Sequence, residues 1–112
     1  MSTDAKVAWE NLVSSVTAQH DAVARGKMMS ADALLCRGKV FVFYSTKGGM
    51  TGLGARVGRD ADLTQFALSD WQHLAPFKTK PPMKDWIVVS VGDLEQWPGI
   101  TDFAYEKALK RT

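Results

Sequence analysis

The segment from Ala33 to Thr46 sets the tightest limit on how this chain can fold. Ala33 to Cys36 and Lys39 to Thr46 are apolar, β-branched and aromatic, and Arg37-Gly38 between them has the chemistry of a tight turn. That pattern predicts a β-hairpin. Strict alternation along the second run sends Phe41 and Phe43 to one face and Val40, Val42 and Tyr44 to the other. Both faces are then apolar. Helices can cover one of them, and the second needs a cover of its own. Val40, Val42 and Tyr44 are therefore expected to form the face of a homodimer, the alternative being that Tyr44 and neighbouring Arg and Lys stems shield the strip.

The flanking segments supply the helices. From Asp4 to Arg25, the residues Trp9, Leu12, Val13, Val16, His20 and Val23 recur at steps of three and four, which predicts an amphipathic helix stopped by Gly26. Lys47-Gly48-Gly49 reads as a second turn and Gly52 to Val57 as a third strand, with Gly54 marking a bulge or a close approach. Asp60 and Asp62 open a short helix with Leu63, Phe66 and Ala67 on its apolar side. Leu74 to Thr79 fits an edge strand, where Pro76 is tolerated. Met83 to Val91 is a strand through Trp86-Ile87-Val88-Val89. Asp93 to Arg111 closes as a helix with Pro98 in its first turn and Lys107, Lys110 and Arg111 near its C-terminal end. The expected order is α-βββ-α-ββ-α. Strands in runs rather than in strict alternation with helices imply a two-layer α+β fold with a mostly antiparallel five-stranded sheet.

At 112 residues the chain, 1–112, fits one domain, and 46% hydrophobic residues suffice for a small core. The longest apolar run, Val40 to Tyr44, falls far short of the ~20 residues that span a bilayer. Met1 to Lys6 contains Asp4 and lacks the apolar stretch of a signal peptide. A single cysteine, Cys36, allows no internal disulfide, so a cytoplasmic location without membrane contact is the expectation.

Net charge is only +2, yet Arg25, Lys27, Arg37, Lys39, Lys47, Arg56 and Arg59 fall in one segment whose only acid is Asp32. These cations are the candidate contacts to phosphates in a nucleic-acid-binding module. Cations at strand ends also keep sheets soluble, and no helix-turn-helix, zinc-finger or ribonucleoprotein motif supports the nucleic-acid reading, which is not favoured. Gly48 to Gly54 has the G-x-x-x-G-x-G spacing of dinucleotide sites, but the residues that follow alternate like a strand and leave no room for a βαβ unit, so no cofactor is expected. His20, His73 and Cys36 lie on separate elements without partners at ligand spacing, so no metal site is expected. His20 reads as a half-buried helix residue, Cys36 as a small core residue, and Met28-Met29 as gap fillers. No paired carboxylates or catalytic triad stand out, and an enzyme is not expected.

Four stretches together resemble the N-terminal domain of the TfoX (Sxy) family of competence regulators. They are Lys27-Met28-Met29, Leu34 to Phe41, Pro76-Phe77 with Pro82 to Val89, and Trp97 with Ala104 and Ala108. The resemblance runs from Lys27 to the end, about three quarters of the chain, and the stretches consist of turn and packing residues. The resemblance implies a two-layer α+β fold with a five-stranded antiparallel sheet, and a regulatory or interaction role linked to competence or transcription through an unidentified protein partner. In that family a helical second domain follows. The chain stops at Thr112, so that domain is expected to be missing and direct transcriptional activation with it.

Overall fold

In a computed structural model, which describes residues 2–28, 31–45, 52–58, 63–66, 68, 71–74 and 83–111, Arg37 and Gly38 stand at φ +52° and +84°. Both central residues of the turn are left-handed, the geometry that matches the twist of a two-residue hairpin. The turn joins β2 (Ala31–Cys36) to β3 (Lys39–Ser45) as the sequence pattern predicts. β4 (Gly52–Arg56), β5 (Trp71–Leu74) and β6 (Met83–Ser90) follow, and β1 (Val23–Met28) precedes the hairpin. The strands form one sheet of six, ordered β1-β2-β3-β4-β6-β5. Every neighbouring pair is antiparallel. Two helices, α1 (Ser2–Gln19) and α2 (Trp97–Arg111), complete the α+β fold.

The sheet has six strands rather than five because the first helix ends early. α1 stops at Gln19, and Val23–Met28, read from the sequence as helix and stop signal, is β1. The Val23 amide donates to the His20 carbonyl at 3.1 Å, turning the chain out of the helix. Gly26 is not a helix stop: a Cβ there would collide with the Leu35 side chain, which lies across it from β2. Val23 falls on helical spacing by coincidence and buries its side chain from a strand instead. The middle helix is reduced, among the described residues, to one 3₁₀ turn, Leu63–Phe66. The edge strand sits earlier than expected, at Trp71–Leu74, and residues 75–79 lie outside the described residues. The last helix starts at Trp97 after a 3₁₀ stretch, Val91–Gln96.

The facing of β3 also differs. Leu34 pairs with Val42 and Leu35 with Val40, so Phe41 is one extra residue, a β-bulge. The bulge reverses the side-chain alternation. Phe41, Val42 and Tyr44 all turn towards the helices, while Val40 and Phe43 turn to the opposite face. Phe41 and Phe43 therefore do not share a side.

The main core lies between the sheet and both helices. α1 contributes Ala5, Trp9, Leu12, Val13 and Val16, and α2 contributes Trp97, Ile100, Ala104 and Ala108, against the helix-side residues of the central strands. The stripe of α1 is thus the expected one up to Val16. The other face carries a smaller cluster of Ala33, Phe43, Trp86 and Val88, with the Phe43 and Trp86 rings 5.7 Å apart. Phe43 occupies the space left by Gly54 on β4, where a Cβ would strike its ring. Gly54 is therefore a close approach, one of the two roles its place in a strand suggested.

Candidate functional site

The five candidate cations among the described residues are spread over several elements of the sheet. Arg25 and Lys27 belong to β1, at one edge of the sheet. Arg37 is in the β2–β3 turn, Lys39 opens β3, and Arg56 ends β4. Lys47 and Arg59 lie outside the described residues. Several of these cations already hold acids. The Arg25 guanidinium donates to Glu10 at 2.6 Å and lies 3.9 Å from Asp32. Lys27 Nζ is 2.7 Å from Asp32, and Arg56 stands 3.9 Å from Asp85. The hydrogen bond to Glu10, reinforced by its charge, raises the Arg25 pKa. The Lys27 hydrogen bond holds the Asp32 carboxyl below its ordinary value, against the opposing effect of partial burial. The result is an alternating chain of charges, Glu10–Arg25–Asp32–Lys27, that ties α1 to β1 and β2.

Nor does the strip Val40, Val42 and Tyr44 exist as one surface. Val42 is wholly buried on the helix side, and Tyr44 stacks on Trp9 with ring centroids 6.0 Å apart. Only Val40 remains on the opposite face, against the Phe43 cluster. The bulge at Phe41 is the cause.

The other sequence candidates have structural partners. His20 is half-buried and stacks on Tyr105 at 4.0 Å. Cys36 is a buried free thiol on β2, and His73 meets Trp71 edge-on at 5.3 Å. Among the described residues no three His, Cys, Asp or Glu side chains gather as a metal set. Gly52 and Gly54 belong to β4, and a Cβ at Gly52 would run into the Val89 carbonyl, so both serve strand packing. Residues 46–51, with the expected Lys47–Gly49 turn, lie outside the described residues, as does Met29.

A concavity lies between the helices. A cleft of about 370 Å³ runs between α1 and the junction leading into α2. Leu12, Val16, Leu94 and Trp97 supply its apolar wall, and Asn11, Ser15, Gln19 and Asp102 its polar margin. The junction is anchored. Ser90 Oγ accepts from the Gly92 amide at 3.1 Å, and the Trp97 indole donates to the Ser90 carbonyl at 3.3 Å. Buried Thr101 donates to the Trp97 carbonyl at 2.8 Å. Sequence spacing identifies Leu12 and Val16 as core residues but carries no sign of a gap between helices far apart in the chain.

The fold defines the chain as an α+β protein in which one antiparallel sheet carries both helices on a single side. No family model, curated protein or solved structure matches it. Among the described residues no helix is long and apolar enough to cross a membrane.

Proposed function

We propose that this chain is a non-enzymatic, cytoplasmic interaction module, resembling the N-terminal domain of the TfoX competence regulators, that holds a protein partner in the cleft between α1 and α2. The cleft carries this reading. An apolar floor of Leu12, Val16, Leu94 and Trp97 inside a rim of Asn11, Ser15, Gln19 and Asp102 has the core-and-rim anatomy of protein interfaces. A groove between helices of this kind suits the apolar face of an amphipathic segment. The nucleic-acid alternative has less support, since the described cations are spread over the sheet, with Arg25 and Lys27 on β1, Arg37 in the β2–β3 turn, Lys39 on β3 and Arg56 on β4.

Substitution at the rim tests the reading. Ser15 is exposed, so Ser15→Arg fills the cleft margin without entering the core. Affinity capture from native cells should lose the bound protein with Ser15→Arg and keep it with Lys39→Glu. Retention by Ser15→Arg would overturn the cleft as the binding site. Duplex DNA binding that falls steeply with salt and fails in Lys39→Glu would transfer the assignment to the basic segment.

A further inference from the structure

We propose that the free edge of β1 accepts an extended acidic segment of another protein as an added antiparallel strand. This inference is independent of the cleft. β1 is the outermost strand of the sheet among the described residues and pairs with β2 alone. The register shows which of its backbone groups are free. The Arg37 amide donates to the Ala22 carbonyl at 3.1 Å, in line with the pairing of Val23 to Cys36. In an antiparallel ladder such bonded pairs alternate with unbonded ones. Ala24 and Gly26 therefore bond to β2, and the N–H and C=O groups of Arg25 and Lys27 point outward. The Val23 carbonyl points the same way, while its amide is held by His20.

The side chains choose the occupant. Arg25 and Lys27 line the helix side of this edge, with side chains 49% and 68% exposed. The acids that pair them, Glu10 and Asp32, stand behind, on α1 and β2. The outermost row is thus cationic. On the other side Ala24 is small and the Leu35 side chain of β2 lies across Gly26. An arriving strand with acidic side chains at alternate positions would set a carboxylate opposite each cation, a favourable cross-strand pairing. A second copy of β1 would instead set Arg25 and Lys27 against the same cations. Edge lysines commonly block uncontrolled pairing; on this edge they select the sign of the partner.

Titration by nuclear magnetic resonance tests the proposal with a short capped peptide alternating threonine and glutamate, and with its lysine counterpart. The glutamate peptide should shift the amides of Arg25 and Lys27, binding about tenfold more tightly than the lysine peptide and more weakly as salt rises. Lys27→Pro removes an outward N–H that no bond among the described residues uses, and should abolish binding with the melting temperature preserved. Should that variant unfold, a glutamate peptide N-methylated along its bonding edge gives the same test from the ligand side and should not bind. No shift at millimolar peptide, equal response to both peptides, or binding by the N-methylated peptide would overturn the proposal. So would a concentration-dependent dimer of the unmodified chain that Lys27→Glu strengthens, since the edge would then belong to a second copy.

Discussion

The two faces of the sheet bury apolar surface by different means. Towards the helices the residues are large, with Trp9, Phe41, Ile87 and Trp97 fully enclosed by elements from both ends of the chain. On the opposite face Ala33, Gly52, Gly54, Ser45 and Ser90 are small, and among the described residues Phe43 and Trp86 supply the rings, with Val40 and Val88 beside them. One face is thus filled by helices brought from elsewhere, the other by a small cluster in which the Phe43 ring lies across Gly54. The first arrangement rests on volume, the second on close backbone approach, so the two should answer differently to substitution.

The largest effect is expected on the helix side. Phe41→Ala removes a fully buried ring and should destabilise the fold by about 3–5 kcal/mol in urea unfolding. Val88→Ala on the other face should lose less, and equal losses would erase the distinction. Next comes addition of bulk. Gly54→Ala pushes a methyl group into the Phe43 ring and should lose about 1–3 kcal/mol. Combining it with Phe43→Leu should recover part of that loss; strict additivity would show that the ring and the glycine act separately.

Ser90 faces away from the helices yet sustains their placement through its cap. Ser90→Ala frees the Gly92 amide and should lower stability by about 0.5–2 kcal/mol, with the same alanine fully buried in place. The smallest effect belongs to the edge charges. Lys27 lowers the Asp32 pKa in the folded chain. The bridge therefore stabilises fully above the ordinary carboxylate value of about 4, and its contribution disappears as pH falls through the lowered folded value. Asp32→Asn should remove that part of the acid-side decline in urea midpoint. Both partners reach solvent, so the change is small.

Legibility in the sequence follows the same division. The β2–β3 hairpin and the α1 stripe are visible because turn chemistry and periodicity are local properties. The closing helix is visible through equally local signals, Pro98 in its first turn and Lys107, Lys110 and Arg111 near its end. β1 is not visible. Its residues are small or charged, Val23 continues a helical spacing by chance, and Gly26 imitates a helix stop. Only pairing with β2 makes the segment a strand. The bulge is hidden for another reason. Val40 to Tyr44 is apolar at every position, so the sequence contains no polar residue to mark a change of face. Of the candidate site, Leu12 and Val16 are legible as core, while the opening beside them depends on how α1 and α2 are set side by side. The cations are legible, but their separation onto different strands and their pairing with Glu10, Asp32 and Asp85 are not.

The extra residue in β3 also divides that strand into two frames for substitution. Before it, even-numbered Val40 belongs with the aromatic pair on the side away from the helices; after it, even-numbered Val42 and Tyr44 belong to the helix side. Removing Phe41 would restore unbroken alternation, and either the hairpin turn or the pairing with β4 would have to slip to keep Val42 enclosed. The strand is therefore expected to accept replacement at position 41 by another large apolar side chain far more readily than a change of length by one.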